Sequence, residues 1–396
     1  METLLPLLAS AGREPIAEDE ARLEFLLADF LAAVVSARDL VPAAPFAADG
    51  AVGRVGLLAL RAGVRDCDDV DWTSLHHPGS VIWPVVLGMG EQLAIDGPTL
   101  RSAVTSGYRT AATVADALGS SHRALWHVTA TAGGMGAASA ASVALGLSAA
   151  DHVRALALAA ANVGGLAIAA RERLGAAAFN RVAAASLGVT SARASLAGAP
   201  ALNDPVNAAG GVLEAMTTPG PHPTAIRDGV ADATLRRYPA SGFLQSAVAE
   251  AARLRQVVSG ELEAIRVRLP EGVVPLLDGS AGGPWWDGRL CVLRAWSAGS
   301  AFAATTACAS DTEVARVHLE PAPLPPGGCQ VTVLTDQGEY AGVECGAPGW
   351  GDPLLEEELH RKWSTLAGVS GDSLRSTARD VLERGLGGDE LRGVWT

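Results

Sequence analysis

At 396 residues, with a formal charge of -13 and a pI near 5.1, the chain is long enough for more than one hydrophobic core and too acidic to favour a nucleic-acid backbone. No run of Lys or Arg offsets that balance, so no nucleic-acid partner is expected. Mean hydropathy is +0.23, yet the apolar stretches are mostly Ala and Gly and the longest is interrupted by Asp151, His152 and Arg154, so no membrane span is expected either.

Taken in chain order, "ARLEFLLADFLAAVVSAR" places apolar residues three and four apart, and "SVIWPVVLGMGEQLAID" and "PTLRSAVTSGYRTAATVADALG" keep that period, which predicts amphipathic or buried helices. The run from Gly133 to Ala170 is so rich in small residues that its helices can approach closely, with Ser-Ala-Ala-Asp marking a helical hairpin inside the bundle. Helical texture extends to about residue 258. From about 261 to 346 the period switches to two in "EAIRVRLP", "EVARVHLEP" and "CQVTVLTDQGEYAGVEC", where "TDQG" reads as a hairpin turn. Beyond the connection "GAPGWGDP", "LLEEELHRKWSTLAG" and "DSLRSTARDVLERGL" return to helix. The expectation is a mainly α protein with an α+β insert: a large all-helical domain from residues 1–258 and 347–396, and a smaller α+β domain from 259–346.

Five cysteines, at 67, 291, 308, 329 and 345, form no CxxC pair, and their odd number fits reduced thiols in a cytoplasmic protein. No P-loop, HExxH or GxSxG motif is present, and "GGMG" follows no predicted strand. Lys362 is the only lysine and sits in a charged helix that reads as exposed, which argues against Schiff-base chemistry. No cofactor is expected. No metal is expected either, because the histidines and cysteines lack zinc spacing and the acidic run at 66–71 lacks the glycine and terminal glutamate of a calcium loop.

Acid-base chemistry is what remains. Asp66, Asp68, Asp69 and Asp71 precede His76-His77-Pro78-Gly79 at the start of an apolar helix, where a helix N-terminus also favours an anion. This loop is either a solvated turn that caps the helix or a proton-transfer site. His127, in "LWHVTATAGG", has apolar neighbours and is either a core histidine or a titrating group in a dry pocket. His122, His152, His222, His318 and His360 are expected to be structural or solvated.

The order "DCDDVDWTSLHHPGSVIWPVVLGMGEQL", "DGPTLRSAVTSGY", "WHVTATAGGMGAASAASVALGL", "RRYPASGF" and "GAPGWGDPLLEEELHRKW" resembles the MmgE/PrpD family, which includes 2-methylcitrate dehydratase, cis-aconitate decarboxylase and related epimerases. The resemblance implies a helical domain built from both chain ends, an α+β domain between them, a cleft at their junction, a homodimer and metal-free chemistry on small carboxylates. By the same resemblance Asp66, His77 and His127 are the catalytic groups. Other family positions differ: a threonine becomes Val70, a lysine and a histidine fall near Ala177 and Asn180, a second lysine becomes Arg236, and a tyrosine lands near Ser300. Arg236 still suits a carboxylate, since guanidinium matches its geometry. His76, Tyr238 and Ser300 are further substrate-binding candidates, and Arg171, Arg173 and Arg237 either replace lost groups or form surface ion pairs.

The expected activity is that of a dehydratase acting on a small hydroxy acid or related carbonyl compound, with a specialised natural-product pathway as its expected setting. Elimination needs a base for the α-proton, an acid for the departing hydroxyl and a positive group for the developing enolate. A decarboxylase or epimerase of the same family, or a catalytically inactive ligand-binding member, are the alternatives.

Overall fold

The computed structural model describes residues 4–11, 17–171, 176–218, 223, 225–277, 286–304, 310–325, 327–343, 355–386 and 391. Arg173, His222, Cys308, Cys345 and the connection "GAPGWGDP" lie outside the described residues, as does the side chain of Arg171. The chain is mostly helical, with small sheets.

The helices α1 (Leu4–Ala9), α2 (Ala17–Ser36), α3 (Gly50–Val64), α4 (Gly79–Leu93), α5 (Gly97–His122), α6 (Val128–Ala144), α7 (Ala149–Ala160) and α8 (Ala176–Leu196) pack around α6, which touches α4, α5, α7 and α8. Nearly every residue of α6 is buried. Its Ala, Gly, Ser and Thr side chains are short, so neighbouring backbones come close: a Cβ on Gly136 would lie 2.7 Å from the Gly107 carbonyl oxygen of α5, and one on Gly188 of α8 would collide with Ala137. Asp96 caps α5 by accepting from the Thr99 amide at 2.9 Å, and Ser148 caps α7 by accepting from the Asp151 amide at 3.2 Å.

The sheet has the strand order β4-β3-β5-β6, from β3 (Leu262–Pro270), β4 (Val317–Ala322), β5 (Gln330–Thr335) and β6 (Gly338–Ala341). β3 runs parallel to β4 and antiparallel to β5, and Asp336 and Gln337 form the β5–β6 turn. Along β3, Ile265, Val267 and Leu269 are buried while Arg266 and Arg268 are exposed, as alternation on a one-sided sheet requires. The helices α9 (Gln245–Val257) and α10 (Gly288–Ala298) cover the buried face.

Local pattern misleads in several places. The helical texture read up to 258 includes α9, whose apolar residues share a core with the sheet rather than with α6. Described residues of 197–228 hold only the short helix Val212–Met216. Within "EVARVHLEP" a helical turn at Asp311–Val314 precedes the strand. The C-terminal helices α11 (Leu355–Ala367) and α12 (Gly371–Arg384) pack on α2. Lys362 is not exposed: it is fully buried, with Nζ 2.6 Å from Asp29 Oδ1 and 2.9 Å from the Cys67 carbonyl oxygen. His122 and His152 are likewise buried, bonded to Thr131 Oγ1 at 2.7 Å and Ser139 Oγ at 3.0 Å.

Candidate active site

Between α3 and α4 the chain folds inward, and Asp66, Asp68, Asp69 and Asp71 are all at most 4 % exposed, so the solvated-turn reading fails. Each buried carboxylate is met by named groups. Asp71 Oδ1 accepts from the amides of Thr73 (2.8 Å) and Ser74 (3.3 Å), and its Oδ2 lies 2.9 Å from Arg227. Asp69 accepts from the Gly79 amide at 2.9 Å and the Tyr108 hydroxyl at 2.8 Å. Residue 79 has to be glycine, because a Cβ would stand 2.6 Å from Asp69 Oδ1 and 2.7 Å from the Tyr108 oxygen. Burial, reinforced by Asp68, pushes the Asp69 carboxyl up to about 7.

Two guanidiniums balance Asp66 and Asp68. The short strand β1 (Val70–Asp71) pairs antiparallel with β2 (Ala233–Thr234), which delivers Arg236 to the loop. Arg236 grips Asp66 with both terminal nitrogens, at 2.9 and 3.2 Å. Arg181, from α8, reaches one oxygen each of Asp66 and Asp68, both at 3.5 Å, through space left by Gly63, where a Cβ would collide with it. Burial would raise the Asp66 carboxyl, but Arg236, His77 and Arg181 outweigh it and hold the group at about 2. Asp66 is therefore ionised at neutral pH.

The two imidazoles are set in opposite tautomers. His77 Nδ1 lies 2.8 Å from the Asp69 carbonyl oxygen, which can only accept, and 3.2 Å from Arg236 Nη2, which can only donate and is equally far from Asp66 Oδ1; the shorter contact assigns the proton to Nδ1. Nε2 of His77 is left with its lone pair. His127 precedes α6, and its Nδ1 accepts from the Asn180 side-chain amide at 3.2 Å, an orientation supported by the Leu166 carbonyl 3.5 Å from the same nitrogen. Nε2 of His127 then bears hydrogen. The His77 amide donates to Thr129 Oγ1 at 3.2 Å, tying the loop to the first turn of α6. Burial pushes His127 down to about 3, aided by Arg181, and burial also lowers His77, which Asp68 opposes. Both are neutral at pH 7.

Asp66, His77, His127, Arg181 and Arg236 line one cavity of about 500 Å³. Three candidates do not line it. His76 turns away to Ser74 Oγ at 2.6 Å and Asp71 at 3.7 Å; Tyr238 donates to Glu358 at 2.6 Å; Ser300 accepts from Arg361 at 3.3 Å. Arg237 also pairs with Glu358, at 3.2 Å. Arg236 lines the cavity, but its terminal nitrogens are directed at Asp66 rather than open to a substrate carboxylate. Arg181 went unrecognised from sequence, and Asn180 was noted only as standing near a lost family histidine, although they are the adjacent polar pair in the apolar stretch "GAAAFNRVAAAS". Ligand atoms of Asp66, Asp68 and His77 come within 4.8 Å of one another, a spacing that suits a cation, but both carboxylates already face guanidiniums.

The chain is mostly helical, and its central helix and buried acid-imidazole loop share one cavity. Residues 57–224 match the MmgE/PrpD N-terminal domain, which supports membership of the MmgE/PrpD family. That family includes hydro-lyases such as 2-methylcitrate dehydratase, which suggests a dehydratase-like function. No curated protein matches the chain. Among the described residues, no helix is long and apolar enough to cross a membrane.

Proposed function

We propose that the cavity removes water from a β-hydroxy acid or related carbonyl compound without a metal ion, as a lyase. The observation that carries this reading is that His77 and His127 line one cavity with hydrogen-bond partners that assign them opposite tautomers. Nε2 of His77 takes the α-proton. The Nε2 hydrogen of His127 bonds the carbonyl oxygen as it gains enolate charge, and the depressed basicity of His127 keeps it a neutral donor. The imidazolium formed on His77 is stabilised by Asp68, 3.8 Å away, and by the Asp69 carbonyl. It returns its proton to the departing hydroxyl, so water leaves, the carbon–carbon double bond forms and His77 is neutral again. Asp66 orients Arg236 instead of moving a proton. A single proton carrier favours elimination over epimerisation, which needs a group on each face.

The same reading takes residues 259–346 as a smaller domain closing one side of the cavity, with Leu276 and Trp286 among its wall residues. It also takes the protein as a cytoplasmic homodimer. Support for assembly comes from Leu125, Leu166, Ile168 and Phe179, which are more than half exposed and lie on segments joined by the Trp126–Leu166 bridge and the Asn180–Leu166 hydrogen bond. A monomer by sedimentation at micromolar concentration would remove that part.

The catalytic reading is tested on a panel of 3-hydroxy acids, following the ultraviolet absorbance of the conjugated product and exchange of the α-proton with deuterated solvent. His77→Gln should lower kcat by roughly 10²–10⁴ and abolish exchange. His127→Gln, which retains an N–H donor, should keep more activity than His127→Leu. Unchanged exchange in His77→Gln would refute the assignment.

A further inference from the structure

The walls of the cavity point to a particular kind of substrate. We infer that it carries one carboxylate and a bulky apolar or aromatic body, in place of the several carboxylates of a small polyacid. The inference rests on the lyase reading for the reacting end and on three further observations for the rest of the molecule.

The first is charge. Arg181 and Arg236 face Asp66 and Asp68, two guanidiniums against two acids, so the floor of the cavity offers no spare cation. Arg123, at the end of α5, also lines the cavity; its Nη1 donates to the Ser74 carbonyl at 3.3 Å, and no carboxylate of the described residues pairs with it. One free cation matches one carboxylate.

The second is the wall. Trp72, Leu75, Trp126, Phe243, Leu276 and Trp286 line the same space, and the Trp72 and Phe243 rings meet edge to face at 6.0 Å. A volume of about 500 Å³ falls within the range of roughly 300–1,000 Å³ that encloses drug-sized ligands. A small polyacid would leave most of this apolar wall against water, whereas an aryl or branched alkyl group would cover it.

The third is a polar group without a protein partner. Ser241 is 1 % exposed, lines the cavity, and its hydroxyl has no hydrogen bond among the described residues. A buried hydroxyl in that state gains from a substrate oxygen. Ser241 thus adds one neutral contact for a carbonyl or hydroxyl, where a polyacid site would need another cation.

Titration calorimetry at pH 7.5 with 3-hydroxy-3-phenylpropanoate, 3-hydroxybutanoate and citrate tests this. The phenyl acid should bind at least about tenfold more tightly than 3-hydroxybutanoate, the gain expected from burying one aromatic ring, and citrate should bind no better than 3-hydroxybutanoate. Arg123→Ala should weaken both monoacids alike, by about tenfold or more. Phe243→Leu, which keeps the core apolar, should shrink the phenyl advantage, and Ser241→Ala should weaken the two monoacids without changing their ratio. Citrate binding most tightly, or monoacid affinity indifferent to Arg123, would overturn the inference. The readout separates it from the lyase reading: tight binding of the phenyl acid without α-proton exchange would defeat the lyase reading alone, and turnover of citrate without binding of the phenyl acid would defeat this inference alone.

Discussion

Lys362→Met breaks the buried ion pair that fastens the C-terminal helix α11 to α2, and with it the hydrogen bond from α11 to the active-site loop. The ammonium bonds Asp29 Oδ1 at 2.6 Å and the Cys67 carbonyl at 2.9 Å, and Asp29 Oδ1 also accepts from the Trp363 indole at 2.7 Å. Both charged side chains are about 1 % exposed, so neither pair member has water to fall back on. Removing one member of such a pair costs about 3–5 kcal/mol, because the other charge stays buried without compensation. Burial already raises the Asp29 carboxyl and Lys362 opposes that rise, so without the lysine the carboxyl moves further toward its protonated form. The double variant Asp29→Asn/Lys362→Met removes the stranded charge and keeps an acceptor for Trp363, leaving mainly the unmet Cys67 carbonyl at about 1–3 kcal/mol. Urea unfolding at pH 7.5, followed by circular dichroism, should therefore show a single variant markedly less stable than the double, with a coupling of at least about 2 kcal/mol. A loss below about 1 kcal/mol for Lys362→Met, or strictly additive single variants, would refute the reasoning.

Acid should destabilise the fold. Burial lowers His76 and His152 to about 4 and His127 to about 3, so each takes up a proton on unfolding between those values and about 6.5, and stability rises with pH across that window. Asp69, raised to about 7, and Asp29 and Asp232, also raised, work the other way because they shed protons on unfolding, but His77 and His122 are lowered as well, so five histidines oppose three carboxyls. Tm should be higher at pH 6.5 than at pH 4.5, and the reverse order would contradict the burial of these imidazoles. Chelation by EDTA should leave Tm, turnover and phenyl-acid affinity unchanged, since guanidiniums face the carboxylates of the Asp66, Asp68 and His77 cluster. Loss on chelation with recovery on adding Mg²⁺ or Zn²⁺ would replace this account with a metal-assisted one.

The sequence by itself determined the helices and the strand–hairpin region, because both rest on the repeat of apolar residues along a short window. It also marked α6 as the interior of the bundle, since a run of Gly, Ala, Ser and Thr has too little side chain to cover any surface but a close neighbour. The stretch from Asp66 to His77 and the isolated His127 were visible as concentrations of chemistry. Only the tertiary structure decided what those groups can do. Arg181 and Arg236 reach Asp66 from 115 and 170 residues away, and Lys362 reaches Asp29 across 333. No local pattern registers such pairings, yet they decide that a carboxylate run open to either a solvated or a proton-transfer reading is buried in ion pairs. They keep Asp66 ionised and bury the one lysine. Asn180 and the Asp69 carbonyl, arriving from different elements, choose the tautomers of His127 and His77. The physical reason is that periodicity is set by neighbours in the chain, whereas protonation and charge pairing are set by neighbours in space.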